Sequence, residues 1–137
     1  MSDVHTPAQR SRNMAAIKGS NTRPERRVRS MLHALGYRFR LHRKDLPGKP
    51  DIVLPKYRTV IFVHGCFWHC HDCKYGSPKP ATNAAFWAAK RAGNVMRDKN
   101  NTAQLESLGW QAETIWECET RNEALLRQSL DRILMRL

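Results

Sequence analysis

The sequence predicts an α/β protein, a mixed sheet flanked by helices, and three observations carry that prediction. Two short apolar runs, Ile52-Val53-Leu54 and Thr59-Val60-Ile61-Phe62-Val63, stand on either side of the turn-forming Pro55-Lys56-Tyr57-Arg58, which is the pattern of a hairpin. A further strand-like run, residues 110–116, comes only after a stretch long enough for a crossover helix, so its strand runs parallel to the one before the crossover. Amphipathic helices with capping residues bracket these strands. At 137 residues a single domain is expected, long enough to bury a core without covalent staples.

Taken in order, Thr6-Pro7 starts a helix that runs to about Lys18 and stops at Gly19. It is rich in Arg and Lys and poor in core material, so residues 1–20 form either a frayed arm or one that lies on phosphates, with Met14 and Ile17 facing a duplex. Residues 21–137 make up the body. Thr22-Arg23-Pro24-Glu25 is a capping box, and Val28, Met31, Leu32 and Leu35 fall on one face of the helix that follows, which Gly36 closes. Glu25 has a complete explanation here as the capping carboxylate. Tyr37, Phe39 and Leu41 alternate with Arg38 and Arg40 as a half-exposed strand, and a polar loop from His42 to Lys49 leads to Pro50-Asp51. The hairpin then places Asp51, at the start of one strand, beside the His64 region at the end of the other. From about Asn83 to Gly109 the chain is helical and basic, with Gly93 as a candidate break. Trp110, Ala112, Thr114 and Trp116 share a strand face. Thr120-Arg121-Asn122-Glu123 reads as a second capping box, opening a helix with Leu126, Leu130, Ile133, Leu134 and Leu137 on one stripe.

Lys and Arg number 24 against 12 Asp and Glu, a net charge of +12 spread along the chain, which points to a polyanion, and for so small a chain to nucleic acid. No run approaches a membrane span and no signal-peptide core precedes the body, so a soluble intracellular protein with no membrane partner is expected. In that setting four cysteines imply metal or redox chemistry rather than disulfides. Cys66, Cys70, His71 and Cys73 lie close together, and Cys118 follows the neighbouring strand. Thiolates with imidazole are the ligand set of tetrahedral structural zinc, but five candidates compete for four places, and spacing does not separate Cys70 from His71. Buried free cysteines, or a Cys70–Cys73 redox pair, are the alternatives.

Pro50-Asp51, His64-Gly65-Cys66-Phe67-Trp68-His69 and Trp116-Glu117-Cys118 together resemble the very short patch repair (Vsr) DNA mismatch endonucleases. The resemblance extends over essentially the whole chain, through Ser11-Arg12-Asn13-Met14, Leu46-Pro47-Gly48-Lys49, Pro80-Ala81-Thr82, Phe86-Trp87 and Asn94-Val95. It implies a restriction-endonuclease-like fold and a nick 5′ to the thymine of a T·G mismatch left by deamination of 5-methylcytosine. It implies Asp51 as the Mg²⁺ carboxylate and His69 as the group that activates water, which agrees with what phosphodiester hydrolysis requires. Glu25, His64 and Asp98 would form the polar network around the metal-bound waters, so that Glu25 does more than cap. Restriction-like nucleases usually carry Glu-x-Lys after the Pro-Asp strand. Here Val63-His64-Gly65 stands there, and the family pattern assigns a main-chain carbonyl, that of Val63. Phe67, Trp68 and Trp87 match an aromatic wedge beside the mismatch, Lys90 and Asn94 match the readers of its bases, and Met14 and Ile17 match minor-groove contacts. Cys66, His71, Cys73 and Cys118 match the Zn²⁺ ligands, leaving out Cys70. The expected partner is double-stranded DNA bearing the mismatch, with helper repair proteins, in a bacterial, nucleoid-associated cytoplasmic setting. An asymmetric lesion with one nicked strand needs no dimer, so a monomer is expected. The competing reading is a zinc-stabilised DNA-binding protein without nuclease activity, for which the carboxylate of Asp51 would be a liability.

Overall fold

A computed structural model describes residues 22–73 and 83–137. The predicted N-terminal arm, with Met14 and Ile17, lies outside the described residues, as does Pro80-Ala81-Thr82. Helix α1 spans Arg23–Ala34 and is capped as expected, the Thr22 hydroxyl accepting from the Glu25 N–H at 3.3 Å. Gly36 ends the helix at φ +87°, a left-handed position that lets the Tyr37 N–H return to the Leu32 carbonyl.

Strands β1 (Arg40–Leu41), β2 (Ile52–Leu54), β3 (Thr59–His64) and β4 (Gln111–Trp116) form one mixed sheet in the order β1-β2-β3-β4. The first two pairings are antiparallel and β3 runs parallel to β4, as the intervening helix requires. The strand expected from Tyr37 is shorter than its alternation suggests. Only Arg40 and Leu41 pair, with Val53 and Ile52, and Tyr37 and Phe39 pack against the core from outside the ladder.

Side chains alternate across the sheet and fill two cores. Ile52, Leu54, Ile61 and Ile115 meet Val28 and Leu32 of α1 and Leu126, Leu130 and Ile133 of α3 (Glu123–Leu134). Val53, Val60 and Phe62 face the other way, against Leu46 and against Leu105 of α2 (Ala84–Ser107). The sheet is therefore buried on both faces, which is why β2 and β3 read as unbroken apolar runs. Helix α2 passes Gly93 without a break. The second capping box is corrected: Asn122, not Thr120, caps α3. The Thr120 hydroxyl is taken by the Glu117 carbonyl at 2.7 Å, closing a 3-10 turn over Glu117–Thr120, and Asn122 Oδ1 accepts from the Ala124 and Leu125 N–H groups. No helix among the described residues is long and apolar enough to cross a membrane.

Candidate active site and metal centres

The hairpin brings Asp51 to the end of β3. Ile52 pairs with Ile61, so Asp51 lies beside the last residues of that strand, and its Oδ2 accepts from the Val63 N–H at 2.7 Å. Glu25 approaches from the first turn of α1 and is almost fully buried. Burial pushes the Asp51 carboxyl up to about 7, helped by the nearby Glu25 carboxylate and opposed by the Val63 N–H and Arg29. Two carboxylates pressed together out of water are a pair that a divalent cation would relieve, so the residues fit such an ion.

One residue further along β3, His64 follows Val60 and Phe62 on the face toward α2. There it stacks on His69, with ring centroids 3.8 Å apart and planes within 2°. His69 Nδ1 lies 2.5 Å from Asp98 Oδ2, and His64 Nε2 lies 3.8 Å from Asp98 Oδ1. Burial and the neighbouring His69 push His64 down to about 3, so it is neutral at any working pH. Asp98 thus holds His69 by one ring nitrogen and leaves the other for chemistry.

Helix α2 grips the loop after β3 along one stripe, at Trp87, the adjacent Lys90 and Arg91, Asn94 and Asp98, successive turns of the helix. Trp87 meets Phe67 and Trp68 with centroids 6.2 and 5.3 Å apart. The Lys90 ammonium sits 6.0 Å from the Trp68 ring centroid. Arg91 donates to the Phe67 carbonyl at 2.7 Å, and Asn94 to the Trp68 carbonyl at 2.9 Å. Each residue of Phe67-Trp68-His69 therefore has its own partner on α2. Glu25, Asp51, His64, Trp68, His69 and Asp98 all line one cleft of about 780 Å³, whose walls also carry Arg23, Arg26, Lys49 and Lys90.

The Cys/His group is a consequence of the parallel pairing. His64 lies opposite Trp116, and both strands continue in the same direction, so Cys66 and Cys118, each two residues on, arrive together. The Cys118 N–H donates to Cys66 Sγ at 3.4 Å, and Cys118 Sγ lies 3.5 Å from His71 Nδ1. One donor atom from each of Cys66, His71, Cys73 and Cys118 lies within 4.8 Å of the others, a geometry that can hold a metal ion. Burial pushes the Cys66 thiol up to about 12, opposed by the Cys118 N–H and helped by the Cys73 and Cys118 side chains, a cost that a thiolate-binding cation would offset. Trp116 stacks on the His71 ring at 4.2 Å and sets its plane. Cys70 stands apart, exposed, in a left-handed turn at φ +55°.

A family model for the DNA mismatch endonuclease Vsr matches residues 2–75, more than half of the chain. The type II nicking enzyme V.XorIIP of Xanthomonas oryzae pv. oryzae is 48% identical over 135 residues, covering 96% of this chain and 98% of that protein. The DNA mismatch endonuclease Vsr of Escherichia coli K12 is 46% identical over 126 residues, covering 92% and 80%. The type II nicking enzyme V.NmeAIP of Neisseria meningitidis is 43% identical over 134 residues, covering 98% and 95%. The chain belongs to the Vsr DNA mismatch endonuclease family. It is an endonuclease of DNA, and the binding module without catalysis gives way to that reading.

Two residues that hold lining residues of this Vsr-family cleft from behind are not signalled by the motifs. Arg91 clamps Phe67 both through its carbonyl and through its ring, the guanidinium lying 4.5 Å from the centroid. Its place between Trp87 and Asn94 on the helical stripe is the signal that could have found it. The other is His42, whose Nε2 lies 3.1 Å from Glu25 Oε2. It follows a two-residue strand in a polar loop, and nothing in its sequence surroundings marks it.

Proposed function

We propose that this chain nicks duplex DNA 5′ to the thymine of a T·G mismatch, with Mg²⁺, and so starts very short patch repair at sites of 5-methylcytosine deamination. The observation that carries the reading is the convergence of Asp51, Glu25, His64, His69 and Asp98 in one cleft beside the trio Phe67, Trp68 and Trp87. A mixed sheet with its carboxylate at the end of a central hairpin supports a restriction-endonuclease-like architecture.

Asp51 and the Val63 main-chain carbonyl would hold Mg²⁺, which neutralises charge at the scissile phosphate and lowers the pKa of water. Glu25 accepts hydrogen bonds from water in the same space. His69, held through Nδ1 by Asp98, keeps its lone pair on Nε2 and accepts the proton of the attacking water. Asp98 then stabilises the imidazolium, and His64, which stays neutral against that ring, adds no opposing charge. Phe67, Trp68 and Trp87 enter the stack beside the mismatch, where a weakened pair is cheapest to open. Lys90 and Asn94 read the exposed bases. Asn94 keeps its amide on the Trp68 carbonyl, which ties base reading to the placement of the wedge. Cys66, His71, Cys73 and Cys118 would hold a structural Zn²⁺, which would keep the wedge loop rigid. The arm of residues 1–20 contacts the minor groove through Met14 and Ile17, and the enzyme acts as a monomer in the cytoplasm.

The test is a labelled duplex with one T·G mismatch, incubated with Mg²⁺ and either the wild type or Asp51→Ala. Strand-specific cleavage 5′ to the thymine by the wild type alone is expected. Absence of that nick across varied flanking sequences sinks the mismatch reading, and equal nicking by the variant sinks the role of Asp51.

A further inference from the structure

Glu25, His42 and Asp51 form a second compact group of donors in the cleft region, and the role given to Asp51 and Val63 does not use His42. His42 stands just after β1 with φ +48°, an uncommon backbone for a residue with a side chain. Its N–H donates to the Asp51 carbonyl at 3.3 Å, so the two backbones are tied. Its Nε2 lies 3.1 Å from Glu25 Oε2, and one donor atom from each of Glu25, His42 and Asp51 lies within 4.8 Å of the others.

We propose that these three residues bind one divalent cation, with His42 Nε2 as its nitrogen ligand beside one carboxylate oxygen each from Glu25 and Asp51. Adjacent ligands on an octahedral ion at about 2.1 Å stand about 3.0 Å apart, and opposite ligands about 4.2 Å apart. The separation of His42 from Glu25 matches the first value, and the donor atoms of all three residues lie within 4.8 Å of one another, close enough for small side-chain shifts to bring them onto one ion. Three different segments supply the donors: the first turn of α1, the end of β1 and the start of β2. Their spacing is therefore set by the fold, which is the condition for a preorganised site. Two carboxylates alone suit Mg²⁺. An added imidazole shifts preference toward first-row transition ions, so the site takes Mn²⁺ more tightly than Mg²⁺. A hydrogen bond to Glu25 explains the 3.1 Å contact and the β1–β2 pairing sets His42 beside Asp51; together they gather one nitrogen and two carboxylates in one place.

The inference rests on the reading of Asp51 as the catalytic carboxylate, and the test separates the two. Mn²⁺ is titrated into the full chain as purified, with the free ion followed by electron paramagnetic resonance and bound nitrogen detected by pulsed measurements. The wild type should show nitrogen coupling from a histidine. His42→Gln, which can still donate a hydrogen bond to Glu25 but offers no imidazole, should lose the coupling and bind Mn²⁺ tenfold or more weakly. His42→Asn, better suited to the left-handed backbone, should behave alike if the effect is ligation rather than misfolding. No nitrogen coupling in the wild type, or coupling that survives in His42→Gln, overturns the assignment. Unchanged Mn²⁺ affinity in Asp51→Ala overturns the reading of Asp51 beneath it. Loss of binding in Asp51→Ala with none in His42→Gln overturns the role of His42 alone.

Discussion

Replacing Asp51 with asparagine should make the metal-free protein more stable, and only above acidic pH. An isolated Asp titrates near 3.8, and in the folded chain burial and the Glu25 carboxylate raise Asp51 to about 7. Below pH 4 the carboxyl is protonated in both folded and unfolded chains and contributes no difference. Between pH 4 and 7 the unfolded chain releases its proton while the folded chain keeps it, so stability falls as pH rises. Above pH 7 the full difference stands, ~4 kcal/mol for a group displaced that far. Relaxation and water entry reduce this, so a gain of about 2–4 kcal/mol is expected for Asp51→Asn at pH 8 and close to none at pH 4. Asparagine keeps an oxygen to accept from the Val63 N–H, so that bond is not lost with the charge. The measurement is urea unfolding of both proteins in magnesium-free buffer from pH 4 to pH 8. A stability gap that does not widen across this range, or an asparagine variant less stable at pH 8, would refute the reasoning. Such a gap would mean that the cleft stores repulsion which a bound cation discharges, so added Mg²⁺ should stabilise the wild type and leave Asp51→Asn nearly unmoved.

Asp98→Asn should leave thermal stability nearly unchanged but slow nicking by about 10²–10⁴-fold, because the His69 imidazolium loses its counter-charge and its fixed tautomer. The decline should fall on the rate with bound DNA rather than on DNA affinity, and single-turnover kinetics beside a binding titration separates the two. On the proposed zinc reading, Cys118→Ser should release the metal and lower the melting temperature, since it removes the thiol that meets Cys66 and His71 from the end of β4. Metal analysis and a thermal melt check this, and a variant that keeps one equivalent of zinc at the wild-type melting temperature contradicts it.

The strand and helix order was legible because the sheet is covered on both faces and the helices are amphipathic, so apolar runs and helical periods carry the signal. Thr22 was legible as a cap because its hydroxyl accepts from the Glu25 N–H three residues on, the bond its motif predicts. Thr120 was misleading because the Glu117 carbonyl, three residues back, takes its hydroxyl, and the cap passes to Asn122. The strand from Tyr37 was over-read because alternation reports which side chains face inward, and Tyr37 and Phe39 do pack on the core without joining the ladder.

The sequence by itself determined the chemistry available to this protein. It supplied the carboxylate of Asp51, the histidines 64 and 69, the aromatic pair Phe67-Trp68 and a surplus of thiolates, in an order that identifies the family. Tertiary structure decided which of them act together. The parallel pairing of β3 and β4 brings Cys118 to Cys66 and leaves Cys70 in solvent, a choice that spacing could not make because the deciding partner is far off in sequence. The helical stripe of α2 aligns Trp87, Arg91, Asn94 and Asp98 with successive residues of one loop. His42 became visible only through a contact with Glu25, seventeen residues away. Local pattern encodes what each segment buries. A site is made where segments distant in the chain converge, and that convergence is a property of the packed sheet and helices alone.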